Sequence, residues 1–300
     1  MVTSHLDYLP RLPRFDYLEP KTINEACVLL AKYRDKAKVL AGGTDLLVSM
    51  KKKKISPDCI VNIKRIPGLN YIHHNQESSL KIGTLASLHS IACSPIINDR
   101  FELLATACQK IGIPQVRNMG TIGGNICNGG PSQDSIPSLL VLDARLKLVS
   151  LQAERTVPID QFFIGPFQTA LNDAELLTEI EIPIPPPGSD GCYQWLTKMT
   201  EVDETLVGVA VLMSLNSTGS LCEDIKIGLC SVAPTPFRAK RAEAVLRGRT
   251  IEISAIEETA QVAAAETRPR SRADYRRQMT AILVKRAVNE VWQKIKQTAN

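Results

Sequence analysis

Apolar side chains recur at helical spacing from Ile23 to Lys36, with Ala26, Leu29, Leu30 and Tyr33 on one face and a capping-box start at Thr22 and Glu25. The next apolar run, Lys38-Val39-Leu40-Ala41, is short and reads as a buried strand. Gly42-Gly43 breaks it, and Thr44 is placed to cap a helix through Leu47 and Met50. Ile60-Val61-Asn62-Ile63 predicts another strand, ending near Pro67-Gly68. Helix, strand, glycine turn, helix and strand together predict a small α/β layer.

From Leu69 the pattern changes. Leu80–Thr84 predicts a strand, and Ser87–Ala92 and Phe101–Ile111 predict helices. A second glycine-rich loop follows, then a short helix near Ile136–Leu140. Alternation through Ala144–Val149 and Leu176–Pro183 predicts half-buried strands. Four prolines and two glycines within Pro183–Gly191 mark the clearest domain boundary. Beyond it, strands are predicted near Gln194–Met199, Leu206–Leu215 and Ile225–Cys230, with a turn at Asn216-Ser217-Thr218-Gly219. Helices are predicted at Ala239–Leu246, Ile253–Ala265 and Tyr275–Lys296. The expected class is α+β, with a second domain of three antiparallel strands and a helical cluster.

Composition narrows the function classes. Of 300 residues, 44% are hydrophobic and 22% charged, ordinary for a soluble globular chain with room for two domains. No run approaches the ~20 apolar residues of a membrane span. Met1–Pro20 lacks the apolar core of a signal peptide, so a cytoplasmic location is expected. The eight cysteines are scattered, the closest pair eight apart, and His5, His73, His74 and His89 lack the spacing of a helical metal pair. Buried thiols are expected, with no metal or iron–sulfur cluster in this chain. Net charge is +5. Residues 268–286 concentrate it in Arg268, Arg270, Arg272, Arg276, Arg277, Lys285 and Arg286 against Asp274 alone. That stretch reads either as a solvated helix face with its leading loop or as a docking surface for an acidic partner. Nucleic acid is not expected, because no stacking aromatics are interleaved. Lys51–Lys54 reads as the cationic end of a helix.

The candidate chemistry lies in two loops about eighty residues apart: Ala41-Gly42-Gly43-Thr44-Asp45-Leu46-Leu47 and Gly120-Thr121-Ile122-Gly123-Gly124-Asn125-Ile126. Glycines after a strand let backbone amides converge on an anion, and each such charged hydrogen bond contributes ~1.5–3 kcal/mol. Two loops could hold a pyrophosphate without lysine or arginine. Thr44 and Thr121 offer hydroxyls, Asn125 can orient the loop or bind the ligand, and Asp134 can accept from ribose hydroxyls or an amino group. Against this, each motif alone also describes a tight turn, and an inward Asp45 carboxylate would repel phosphate. Neither loop has Rossmann or P-loop spacing, and no G-x-S-x-G elbow is present. The residues alone leave dinucleotide binding and paired turns both open.

The ordered motifs add more. They are Phe15-Asp16-Tyr17-Leu18-Glu19-Pro20 leading to Glu25-Ala26 and Leu29-Leu30, the first loop, Arg117-Asn118-Met119 leading into the second, Pro131-Ser132-Gln133-Asp134-Ser135-Ile136-Pro137, and Val232-Ala233-Pro234-Thr235-Pro236 with Arg238 and Ala242-Glu243. Over nearly the whole chain this set resembles the FAD-binding medium subunit of molybdenum hydroxylases, the family of xanthine dehydrogenase and carbon monoxide dehydrogenase. The resemblance implies a two-subdomain FAD-binding domain of the vanillyl-alcohol-oxidase (PCMH) type over residues 10–187, split near 65, and a C-terminal domain over 192–300. It implies that Val39, Leu40, Ala41, Gly42, Gly43, Thr44, Asp45 and Leu46, with Thr121, Gly123, Gly124 and Asn125, wrap the pyrophosphate of FAD. Asn128 belongs to the same cofactor-binding set, and Asp134 would take the sugar or adenine end. Ile111 and Leu177 would line the ring pockets, and Lys198 would approach the flavin or remain a solvated strand lysine. No residue of this chain is expected to be catalytic toward the organic substrate.

The same resemblance implies partners: a large subunit whose molybdenum cofactor oxidises substrate with water as oxygen source, and a small subunit with two 2Fe–2S clusters, assembled as a dimer of heterotrimers. FAD would pass the electrons to NAD⁺ or another acceptor, the protein supplying binding and electrostatics. Two departures bear on this. Met199-Thr200-Glu201-Val202-Asp203-Glu204 is acidic where many relatives carry an arginine, which bears on the acceptor and the flavin potential. No inserted four-cysteine loop is present, which weakens the likeness to the hydroxybenzoyl-CoA reductase branch. Asn125–Gly129 and Val232–Pro234 look most like bacterial xanthine dehydrogenases. The alternatives are a self-sufficient flavoenzyme of the same fold, like UDP-N-acetylenolpyruvoylglucosamine reductase, and a non-catalytic nucleotide-binding module.

Overall fold

A computed structural model describes residues 12–75, 79–200, 202–216 and 218–299. Residues 1–11 (with His5 and the first residues of the predicted first domain), Ser217 and Glu201 lie outside them. The first unit contains β1 (Asp16–Leu18), α1 (Ile23–Tyr33), β2 (Ala37–Leu40), α2 (Leu46–Lys51) and β3 (Cys59–Asn62). Thr22 Oγ1 accepts from the Glu25 amide at 3.1 Å, and the Glu25 carboxylate accepts from the Lys21 amide at 2.7 Å. The predicted capping box is therefore present, its return bond shifted by one residue. The three strands form a parallel sheet in the order β1-β3-β2. Ala26, Cys27 and Leu30 of α1 share a core with Cys59 and Val61. α2 ends on Lys51, so the lysine run sits at a helix C-terminus as expected.

The second unit runs through β4 (Ile72–Asn75), β5 (Ser79–Gly83), α3 (Leu88–Ala92), α4 (Pro95–Arg100), α5 (Glu102–Lys110), α6 (Pro114–Met119), α7 (Ile122–Asn128), α8 (Ser135–Val141), β6 (Arg145–Val149), β7 (Glu154–Pro158), β8 (Phe163–Gly165), β9 (Gln168–Thr169) and β10 (Leu176–Pro183). Its antiparallel sheet has the order β4-β5-β10-β6-β7. Leu80, Ile82, Leu146, Leu148, Ile180 and Ile182 from the three central strands enter the main core with α3, α4, α5, α7 and α8. The two edge strands were not predicted, because their sequences, Ile-His-His-Asn and Glu-Arg-Thr-Val-Pro, carry the polar side chains that edges favour.

Edge strand β7 is tied down by Arg155, whose Nε and Nη2 each donate to Glu175 at 2.7 Å while the Asn172 amide donates to the same carboxylate at 2.8 Å. The Arg155 hydrogen bond, ahead of the opposing effect of burial, holds the Glu175 carboxyl below its ordinary value. Unfolded Glu175 therefore binds a proton more readily than folded Glu175. Its stabilisation is full above the unfolded value, ~4.3, and is lost as pH falls through the lower folded value. Glu175→Gln is expected to cost about 1 kcal/mol at neutral pH, a low figure because Arg155 is 41% exposed. Urea melts of variant and parent should converge as the pH is lowered toward 3.

The third unit holds β11 (Ser189–Thr197), β12 (Thr205–Leu215), β13 (Cys222–Cys230), β14 (Phe237–Arg238), α9 (Lys240–Leu246), α10 (Ile253–Glu266) and α11 (Ala273–Ala299). The sheet is antiparallel in the order β11-β12-β13-β14, so a two-residue fourth strand joins the three predicted. β11 starts five residues earlier than predicted and absorbs Gly191, where a Cβ would lie 2.8 Å from Val211 O and 3.0 Å from Leu103 Cδ2. That glycine permits close packing and is not linker. Strand β12 is buried on both faces: Val207, Val209, Val211 and Met213 pack on the α11 side in the core that α9 and α10 complete, whereas Ala210 and Leu212 join the main core. Two-sided burial explains why it reads as a continuous apolar run. Among the described residues, no helix is long and apolar enough to cross a membrane.

Candidate functional site

The two glycine loops meet. A Cβ on Gly42 would lie 2.3 Å from Met119 O and 2.8 Å from Gly120 Cα, so the absence of a side chain lets the backbones touch. Ala41 Cβ lies 4.0 Å from the position of a Gly124 Cβ, and Thr44 Oγ1 lies 3.6 Å from that of Gly120. The first loop turns through Gly43, whose φ of +77° a side chain would strain. Among the described residues, the amides of Gly42, Gly43, Thr44, Asp45 and Leu46 have no acceptor. These are half-buried positions apart from the exposed Asp45. Thr44 is not the cap of α2; Asp45 occupies that place, without a side-chain bond, which leaves the Thr44 hydroxyl beside the second loop.

The second loop differs from its expected form. It is the first turn of α7, and its amides are already engaged. Ile122 N donates to Ala86 O (3.0 Å), Gly123 N to Thr84 O (3.0 Å), Gly124 N to Thr121 Oγ1 (3.1 Å) and Asn125 N to Thr121 O (2.9 Å). A Gly123 Cβ would fall 1.8 Å from Thr84 Oγ1 and 2.7 Å from Thr84 O, so this glycine exists to seat α7 on the segment after β5. The side chain of Asn125 is also engaged: its Nδ2 donates to Gln133 Oε1 and its Oδ1 accepts from Ser135 Oγ at 2.6 Å. These bonds orient the loop and leave one donor hydrogen and one acceptor lone pair of the amide for a ligand. The unpartnered amides of the first loop thus lie against a second loop whose own amides are bonded within the chain.

The remaining predicted residues are dispersed. Val39 and Leu40 lead into the first loop from β2. Asn128 ends α7, its Nδ2 lying 3.3 Å from the position of a Gly130 Cβ. Ile111 is half-buried after α5, and its carbonyl accepts from Arg117 Nη1 at 3.2 Å. Leu177 is 1% exposed in the main core and lines no open surface. Lys198 is exposed just past β11, and among the described residues no recorded contact joins it to either loop. Asp134 faces the third unit: Tyr193 donates to its Oδ1 at 2.6 Å, and Thr205 also bonds it. Burial pushes this carboxyl above its ordinary value despite those two bonds. Burial also lifts the Cys127 thiol of α7 to about 12, which leaves it inert.

Three features of the site were not anticipated. Thr84 supports Gly123. Tyr193 holds Asp134 and stacks on Trp195 with 6.1 Å between ring centroids, and Lys110 Nζ sits 4.2 Å above Trp195. Alternation on β11 places Tyr193 and Trp195 on one face, but the predicted strand began after Tyr193. A surface groove of about 390 Å³ lies elsewhere, on the outer sheet face between Lys81, Arg145, Lys147, Glu154, Arg155 and Glu179. Its charges pair with one another, as Lys147 with Glu154 at 2.7 Å and Lys81 with Glu179 at 3.5 Å.

Comparison with known proteins matches residues 13–185 to the FAD binding domain in molybdopterin dehydrogenase and residues 195–291 to the CO dehydrogenase flavoprotein C-terminal domain. The carbon monoxide dehydrogenase medium chain of Hydrogenophaga pseudoflava is 37% identical, over 93% of this chain and 98% of that one. A putative xanthine dehydrogenase FAD-binding subunit of Escherichia coli is 30% identical, over 91% of this chain and 94% of that one. A solved structure of the Hydrogenophaga pseudoflava carbon monoxide dehydrogenase lacking the Mo-pyranopterin moiety superposes with a TM-score of 0.90 at 38% identity, over 94% of this chain and 99% of that one.

Proposed function

The chain belongs to the FAD-binding medium subunits of molybdenum hydroxylases, and from that premise we propose that it is the electron-output subunit of its complex, receiving electrons from iron–sulfur clusters of a small partner subunit and delivering them to NAD⁺ or another acceptor. Substrate oxidation would belong to a large subunit carrying the molybdenum cofactor, with a dimer of heterotrimers as the assembly. The observation that carries this reading is the run of unpartnered amides from Gly42 to Leu46, braced against a glycine-floored second loop.

In this reading the Gly42–Leu46 amides and the Thr44 hydroxyl hold the pyrophosphate, approached from Val39, Leu40 and Ala41. Thr121, Gly123, Gly124 and Asn125 keep α7 in register beneath them, and Asn128 closes its far end. Asp134, fixed by Tyr193 and Thr205, stands at the end of the cofactor nearest the third unit; Ile111 and Lys198 contribute the more distant walls, and Leu177 acts only from the core behind them. FAD supplies the capacity to take up electrons singly or in pairs; the chain's residues bind and orient it. The unit boundaries proposed are 10–187 and 192–300. The acceptor and any preference for xanthine-like chemistry rest with this proposal; whole-chain identity is higher to the carbon monoxide dehydrogenase chain, at 37%, than to the xanthine dehydrogenase subunit, at 30%.

Visible absorption of the purified protein, before and after denaturation, tests the reading. Flavin bands released on denaturation, with iron–sulfur absorbance and two further subunits co-eluting, are the expected result. A lone chain that holds flavin and turns over substrate would instead make it self-sufficient. A folded chain that stays colourless after incubation with FAD would sink the flavin site.

A further inference from the structure

The segment from Pro131 to Pro137 rests on the third unit at three points and on the second glycine loop at two. Toward the third unit, Pro131 O accepts from Ser231 N at 2.7 Å, and Asp134 accepts from Tyr193 Oη at 2.6 Å and from Thr205. Pro137 O would lie 2.5 Å from a Cβ on Gly228, so α8 sits on bare backbone of β13. Toward the loop, Gln133 Oε1 accepts from Asn125 Nδ2, and Ser135 Oγ donates to Asn125 Oδ1 at 2.6 Å. The two residues that hold Asn125 are therefore the chain neighbours of the residue that Tyr193 holds. Space for the phenol comes from Gly208 of β12, where a Cβ would fall 2.6 Å from Tyr193 Oη and 2.5 Å from Cys230 Sγ. Tyr193 and Thr205 are both buried. Among the described residues no cation pairs with Asp134, so its side-chain donors come from the third unit alone.

We propose that Tyr193 and Thr205 are positioning residues for the flavin dinucleotide, acting across the boundary between units. By holding Asp134 they set Gln133 and Ser135, and through them Asn125 and the second loop, so that docking of the third unit completes the cofactor site. The inference rests on the reading of the chain as a flavoprotein and gives the third unit a part in cofactor affinity. Hydrogen bonds to a buried carboxylate are short and directional, so losing one donor frees its orientation. Asp134 keeps lone pairs beyond those that Tyr193 and Thr205 occupy, and a hydroxyl or amino group of the cofactor can donate to them. That bond favours the ionised carboxylate. Burial raises the Asp134 carboxyl, and the two hydroxyl bonds pull it back down. Besides Tyr193, the titratable groups facing it are Glu204, ahead of β12, and the thiols of Cys108 on α5 and Cys230 on β13, both raised by burial and neutral. FAD affinity is therefore full at high pH and falls as pH drops through the Asp134 value. Loss of either hydroxyl moves that fall to higher pH.

The test uses the assembled holoenzyme, stripped of flavin and titrated with FAD across a range of pH. Tyr193→Phe keeps the ring and its stack on Trp195 but removes one donor, and Thr205→Val removes the other. Each should weaken FAD binding about tenfold at neutral pH and shift the acid limb of the affinity profile upward. Thr205→Ser, which keeps the hydroxyl, should retain parental affinity and profile. Asp134→Asn should bind weakly and show no acid limb. In the apoenzyme, amide hydrogen exchange in Tyr193→Phe should quicken from Gln133 and Ser135 through α7 while β13 and α9 stay protected. Parental affinity and profile in Tyr193→Phe and Thr205→Val overturn the proposal. So does faster exchange that stops short of Asn125, or a loss in Thr205→Ser equal to that in Thr205→Val, which packing alone would produce. A parent that takes up no FAD would strike the cofactor reading, and the exchange pattern would then decide the relay by itself.

Discussion

Gly42→Ala is expected to give a folded protein that binds FAD at least a hundredfold more weakly. The new Cβ would lie 2.3 Å from Met119 O and 2.8 Å from Gly120 Cα, and both obstacles are backbone, so neither can step aside by rotating a side chain. The first loop must move away from α6 and α7, and the amides of Gly42 to Leu46 then lose their common aim. Losing two charged hydrogen bonds costs about 3 kcal/mol or more, roughly a hundredfold in affinity. Flavin-to-protein ratio on purification and titration of the apoprotein with FAD measure it. Gly68→Ala is the control: its φ of +76° makes an alanine there strain the backbone, but nothing lies within 4 Å of the added Cβ, so a stability loss of about 1 kcal/mol should appear without loss of FAD affinity. Gly123→Ala is less informative, because collision with Thr84 at 1.8 Å threatens the seating of α7 and hence folding itself. Wild-type affinity in Gly42→Ala would remove the first loop from the cofactor site.

The same two loops show what the sequence made legible and where it stopped. Their existence, and the strand that precedes the first, followed from local signals: an apolar run, a glycine pair, a threonine. Their division of labour did not. Two glycines oppose helix formation, so α7 was invisible to propensity; it exists because Thr84 and Ala86, about forty residues earlier, accept its first amides. Tertiary bonding overrode the local preference and also consumed the amides that composition seemed to offer. Asp134 was legible as a candidate but not its orientation, since Tyr193 arrives from 59 residues away across the boundary between units. β12 was legible as a strand by its apolar run, yet only the packed structure reveals that alternate residues serve two different cores. β4 and β7 escaped notice because edge strands suppress the apolar signal by which strands are found.

Glu243→Gln is expected to produce the largest loss of stability, although the residue lies far from the glycine loops. Glu243 on α9 is 2% exposed and accepts from Arg238 Nε at 2.8 Å, Arg238 Nη2 at 2.7 Å and the Ile227 amide at 2.9 Å. Arg247 adds a contact at 3.7 Å. Arg238 is itself only 13% exposed and reaches Asp143 of the second unit at 3.1 Å, where Lys226 also pairs. Removing the Glu243 charge leaves a buried guanidinium short of its counter-ion, a defect that costs about 3–5 kcal/mol. For a unit of this size that lowers the melting temperature by about 10–20 °C. Replacing both partners should be milder: Glu243→Leu/Arg238→Met removes the unpaired charge and is expected to recover most of the loss in a double-mutant cycle. Because Arg238 also ties β14 to the turn after α8, the single variant should loosen the seam where Tyr193 meets Asp134 and weaken flavin retention on heating before global unfolding. Coincident loss of flavin and of helical circular dichroism in Glu243→Gln would show instead that the seam and the core melt as one. A double variant no more stable than the single would place the energy of this cluster in the packing of α9 and not in the ion pair.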